Sequence, residues 1–212
     1  MSENLKYSKI KWPSSRLLNS GCYEPACLPW MKTFSFVLLI MFVFPFTSPG
    51  QNEKAYLLTV DNKAKARVIA LHNEYRREVG VPPVRWSDII QKSAETWALH
   101  LAENEGLNMV HAGSAAKYGE NLSGGPGVWS TDKDAYTALE YAVISFGSEK
   151  RYYRGKSIGA DDGFYRYGHY TQMVWRDTRD IGCAVAKRKD IAGYIVVCRY
   201  SPGGNHEGEK PF

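Results

Sequence analysis

Three short strings place a titratable side chain beside glycine: MVHAG with His111, YGENL with Glu120 and YGHYTQ with His169. Glycine lets the backbone turn sharply and bring such a side chain to a cleft wall. There, neutral imidazole and carboxylate can share a proton or hold a divalent cation. The plainer role for the same residues is a hydrogen-bonded network that ties loops to a core. No HExxH, Walker loop or Rossmann fingerprint occurs, which sets the chain apart from the common zinc proteases and nucleotide enzymes.

The four cysteines divide by position: Cys22 and Cys27 precede the most apolar run, and Cys183 and Cys198 follow it. Cys183 in IGCAVA and Cys198 in YIVVCRY lie in segments rich in β-branched and aromatic residues, which read as neighbouring strands joined by a polar turn near Lys187 to Gly193. A bridge between them closes a short loop worth roughly 3 kcal/mol in the chain-entropy model; two buried free thiols are the alternative. No CxxC or paired Cys/His spacing suggests structural zinc.

Helices must carry much of the rest. Ala64, Val68, Leu71, Tyr75 and Val79 fall on one helical face across residues 61 to 79, ended by Gly80 and Pro82-Pro83. A second helix opens at Ser87 as N-cap, carries Ile90, Ala94, Trp97 and Leu101, and stops at Gly106. A third is expected from about Thr131 to Tyr152, and a short helical stretch near Thr171 to Trp175. Residues 110 to 130 and 154 to 168 read as loops. Helices flanking a small, mostly antiparallel sheet make an α+β domain.

The chain of 212 residues is 44% hydrophobic, enough for a core. Residues 1 to 50 hold five Lys/Arg against two Asp/Glu, leaving 22 against 20 beyond them, without the long basic runs that track phosphates along nucleic acid. No nucleic-acid partner is expected. The apolar run TFSFVLLIMFVFPF, 33 to 46, is shorter than the roughly 20 residues of a membrane span and fits the core of a signal peptide. Residues 1–30 then form an upstream extension or cytoplasmic tail, 31–50 the signal peptide cleaved before Gln51, and 51–212 a secreted, extracellular domain. The alternative is an uncleaved signal anchor, the one route by which this chain would meet a membrane.

GHYTQMVWRDTRDIGCA at 168 to 184, YGENL at 118 to 122, HNEYRREVGVPPVRW at 72 to 86 and VVCRYSPGGN at 196 to 205 resemble, in order, the hallmarks of the CAP superfamily. That superfamily groups cysteine-rich secretory proteins, venom antigen 5 and the plant pathogenesis-related class 1 proteins. The resemblance covers about residues 65 to 212 and implies a three-layer α-β-α sandwich. It also implies a cavity tetrad of His111, Glu120, Glu149 and His169. Glu149 is chosen over Glu140 because AVISFGSEKRYY, 142 to 153, aligns with the family's pattern, with Phe146 where a Trp is usual.

The family has no generally accepted catalytic activity, so no cofactor is required, and the tetrad is expected to form a network or to hold a weakly bound divalent cation such as zinc. Several relatives bind a sterol or fatty acid. Tyr152, Tyr153, Phe164, Tyr165, Tyr167 and Tyr170 supply an aromatic-rich loop suited to such a lipid, on a surface expected to be separate from the tetrad. The reading is therefore a secreted binder of a lipid or of an extracellular protein, in defence, host interaction or signalling. The alternative is a divalent-metal-dependent hydrolase or protease with Glu149 or Glu120 as general base. The tail PGGNHEGEKPF, 202 to 212, resembles the plant members' tail with Phe212 in place of Tyr. Asn121-Leu122-Ser123 is an N-glycosylation sequon beside Glu120.

Overall fold

In the computed structural model, residues 55–113, 117–127, 134–160 and 163–212 are described. The proposed signal segment, its cleavage site, Cys22 and Cys27 lie outside them. Helix α1, Asn62–Glu78, starts where Asp61 accepts the Ala64 N–H at 2.8 Å, and buries Ala64, Val68, Leu71, His72 and Arg76. Helix α2, Asp88–Asn104, starts at the N-cap Ser87 and buries Ile90, Ala94, Ala98 and Leu101. Both match the expected spacings.

Two strands form the centre. In β4, Asp180–Arg188, and β5, Gly193–Ser201, alternate residues face opposite sides. Ile181, Cys183, Val185, Tyr194, Val196, Cys198 and Tyr200 face a core built with α1 and α3, Ala135–Ser148. Ala184, Ala186, Ile195 and Val197 face a second core built with α2. Helices thus cover both faces of the sheet, giving the expected α-β-α layers. The order is β1-β4-β5-β3, with β1 spanning Ala55–Leu58 and β3 Gly119–Pro126. These pairs are antiparallel, whereas the two-residue β2, Arg85–Trp86, joins β4 in parallel. Cys183 and Cys198 stand directly opposite in the β4–β5 register and are joined as a disulfide.

The structure corrects three expectations. Residues 119 to 126 of the supposed 110 to 130 loop form strand β3, Gly119–Pro126, paired with β5 over its whole length. Its sequence GENLSGGP lacks apolar alternation, and Gly124 has φ +115° with its absent Cβ position only 2.2 Å from Tyr194 O, a site no other residue could fill. The third helix ends at Ser148, and Glu149–Tyr152 tighten into a 310 turn. The short helix begins earlier than expected, as α4 over Gly168–Met173. A further 310 turn, Phe164–Arg166, precedes it inside the supposed 154 to 168 loop.

The tail is docked: Gly208 N–H donates to Ile158 O, Ile158 N–H to Glu209 O, and Arg176 N–H to Pro211 O, at 2.9, 2.8 and 2.7 Å. The rings of Phe212 and Tyr153 lie 5.7 Å apart.

Candidate functional site

Four side chains form two histidine–carboxylate pairs. His111 Nδ1 lies 2.9 Å from Glu120 Oε1, and His169 Nδ1 lies 2.7 Å from Glu149 Oε1. A carboxylate only accepts, so in each pair Nδ1 carries the proton and Nε2 keeps its lone pair when the ring is neutral. Neither Nε2 has a protein partner among the described residues. Glu140, the rejected candidate, instead pairs with Arg67 at 2.7 Å.

Each carboxylate is held by more than its histidine. Glu149 Oε2 accepts the backbone N–H of His169 at 3.0 Å and of Tyr170 at 3.3 Å, which is why the chain must tighten at Glu149 to meet the start of α4. Glu120 accepts the Ala112 N–H and, through Oε2, both Nε and Nη2 of Arg199 at 3.2 and 3.0 Å. Burial alone would raise the Glu120 pKa; the hydrogen bonds from His111, Ala112 and Arg199 outweigh it and hold the carboxyl below its usual range. The glycine of YGENL is sterically required. A Cβ on Gly119 would fall 2.1 Å from Gln172 Oε1 and 3.1 Å from Gly203 Cα, so β3 could not pass α4 and the tail this closely with any side chain there.

The backbone around His169 is fixed from three directions. Asn121 Nδ2 donates to His169 O at 3.0 Å and to the Tyr200 hydroxyl at 3.1 Å. Asn205 Nδ2 donates to Gly168 O and Asn205 Oδ1 accepts from Thr171, at 2.8 and 2.7 Å. The Tyr200 hydroxyl in turn donates to His72 Nε2, 3.1 Å away, because His72 Nδ1 gives its proton to Val68 O. Asn121 is 1% exposed with its amide engaged, so a glycan on this sequon is incompatible with the fold. Behind α4, the fully buried guanidinium of Arg76 donates to the carbonyls of Pro82, Met173, Trp175 and Thr178. Arg199, Asn121, Asn205 and His72 are absent from the sequence-derived site; Arg199 alone had a visible signal, as a charge inside the otherwise apolar YIVVCRY.

His111, Glu120, Asn121 and His169 line a cleft of about 340 Å³ together with Phe164, Tyr165, Gly168 and Asn205. The aromatic loop is thereby divided. Tyr165 is 80% exposed and Phe164 38%, while Tyr167 and Tyr170 are buried and Tyr152 and Tyr153 half-buried. Tyr170 packs edge-on against Tyr75 and belongs to the core. The expectation of separate surfaces fails here, because the Phe164–Arg166 turn brings two aromatic rings to the wall of the His/Glu cleft. Among the described residues no three His, Cys, Asp or Glu side chains are grouped to hold a metal. In each pair the carboxylate behind the ring orients the imidazole and leaves its Nε2 without a protein partner among the described residues.

The family model for CAP, the cysteine-rich secretory protein family, matches residues 69–200. The chain belongs to this family. It is 40% identical over 141 residues to pathogenesis-related protein 1A of Nicotiana tabacum, spanning 66% of this chain and 76% of that relative. It is 29% identical over 184 residues to venom allergen 5 of Dolichovespula arenaria, spanning 77% and 86%. Among solved structures, the fold is similar to BmVAL-1, with TM-score 0.61, 23% identity and 72% of this chain against 82% of that one. It is also similar to NaASP2 with Zn2+, with TM-score 0.59, 24% identity and coverage of 72% and 86%.

Proposed function

We propose that the protein is a secreted, non-enzymatic binder whose His/Glu cleft takes an apolar ligand with one polar end, a sterol or a fatty acid. The observation that carries this reading is the joining of exposed aromatic surface, Phe164 and Tyr165, to two imidazoles in one cleft of about 340 Å³. The rings offer a flat apolar wall, and a neutral Nε2 accepts from a sterol hydroxyl or a protonated carboxyl. The size suits one end of such a lipid, not the whole of it.

A hydrolase is the weaker reading. A general base needs a free lone pair within reach of water, and both carboxylates are engaged: Glu120 with His111, Ala112 and Arg199, Glu149 with His169 and Tyr170. NaASP2, whose fold is similar, has a structure with Zn2+; in this chain a cation would be held by the Nε2 atoms of His111 and His169. Such an ion would polarise a bound hydroxyl or carboxylate, and two nitrogen ligands without a thiolate would hold it weakly.

Lipid extraction from the protein secreted by cells expressing the full chain tests the proposal. Mass spectrometry should find a sterol or fatty acid with wild type and much less with Tyr165→Ser. Absence of sterol and fatty acid from wild type would overturn the lipid reading, and equal lipid on both proteins would remove Tyr165 from the site. If activity on a peptide or ester substrate appeared and vanished with chelation, the enzyme would replace the binder.

A further inference from the structure

A second cleft, of about 440 Å³, lies on the other side of the Phe164–Arg166 turn and is lined by Arg151, Tyr152, Arg154, Gly163, Arg166 and Tyr167. Three of its six lining residues are arginines. They come from two segments, the end of the Glu149–Tyr152 turn with the residues after it, and the Phe164–Arg166 turn. None of the three pairs with a carboxylate among the described residues, whereas Arg67, Arg85 and Arg188 each hold one. Three like charges brought together with no paired carboxylate among the described residues repel one another, and a bound anion relieves that repulsion.

The arginines are also held in place. Arg151 and Arg166 both lie over the Tyr152 ring, 4.8 and 4.3 Å from its centroid, and Arg154 donates to Arg151 O at 2.6 Å. Stacking on an aromatic face fixes the plane of a guanidinium without using its N–H donors. Among the described residues Arg151 and Arg166 make no hydrogen bond through theirs, which leaves both forks able to take a bidentate oxyanion.

We infer that this arginine cleft binds a phosphate monoester, carried either by a soluble sugar or inositol phosphate or by a lipid headgroup. Three guanidiniums match a dianion with three terminal oxygens better than they match a singly charged sulfate ester. The site stands apart from the lipid cleft, since Arg166 lines one and its neighbours Phe164 and Tyr165 line the other, and it does not depend on that reading.

Calorimetry with inositol trisphosphate and flotation with phosphatidylcholine vesicles, with and without phosphatidylinositol bisphosphate, test it on the secreted protein. At least one of the two phosphate probes should bind, and the arm that responds identifies the source. Arg151→Gln and Arg166→Gln should each weaken binding by about tenfold or more. The remote surface change Lys189→Gln, equal in charge, should not. Both arginines are exposed, so the thermal midpoint should stay constant and separate lost binding from lost folding. The inference is overturned by absence of binding to both probes, by equal losses in Lys189→Gln, or by a heparin oligosaccharide binding where neither phosphate probe does.

Discussion

Glu120 on β3 stands directly opposite Arg199 on β5, and the carboxylate takes two hydrogen bonds from that one guanidinium. The side chains are 6% and 10% exposed. This pair, more than any histidine contact, fixes the carboxylate that orients His111. Breaking it leaves a nearly buried charge without its main partner, at a cost of about 3 kcal/mol. Arg199→Met and Glu120→Gln should therefore each lower stability by about that amount in denaturant titration, since each leaves the other charge unpaired. Equal and small effects from both would show that the pair is incidental.

Cys183 and Cys198 close a loop of sequence separation 15 across two central strands. The chain-entropy model gives about 3 kcal/mol for a loop of this length. The double substitution Cys183→Ala with Cys198→Ala should lower the unfolding free energy from denaturant titration by that amount while far-ultraviolet circular dichroism stays native. The residues face a core that remains otherwise intact.

His72 is fully buried, and desolvation, aided by the charge of Arg76 and opposed by the hydrogen bond to Val68, lowers its pKa from 6.5 to about 4. The unfolded chain therefore binds a proton between pH 6.5 and 4 that the folded chain refuses. Stability from this residue is complete above pH 6.5 and declines by about 3 kcal/mol as pH falls toward 4. Glu120, whose pKa is also depressed, adds a loss at more acid pH. His72→Gln should flatten the decline between pH 6.5 and 4 by about that amount. An unchanged pH slope in the variant would remove His72 as its source.

The helices that frame the site were legible because their apolar residues recur at helical spacing and Asp61 and Ser87 cap them. Strand β3 was not, since its order comes from backbone pairing with β5 and its glycines carry no side-chain pattern. The placement of Glu149 came from resemblance, because helical periodicity stops at the residue where the 310 turn begins. Partners such as Arg199 and Asn205 are joined to the histidine strings only across distant contacts, 79 residues apart for Glu120 and Arg199. The division of the aromatic residues between core and cleft depends on one turn, Phe164–Arg166, whose direction no local spacing encodes.

The central claim is that Tyr165 and His169 act on one ligand from two walls of the same cleft. Equilibrium titration with a fluorescent sterol and a fluorescent fatty acid, on wild type, Tyr165→Ser and His169→Ala, tests it most directly. Tyr165 is mostly exposed and touches little, so its loss should leave stability within about 0.5 kcal/mol. The account predicts that each substitution weakens binding of the same probe by about tenfold, the first through lost aromatic contact and the second through a lost hydrogen bond. Affinity for both probes unchanged in His169→Ala while Tyr165→Ser loses it would contradict a shared cleft.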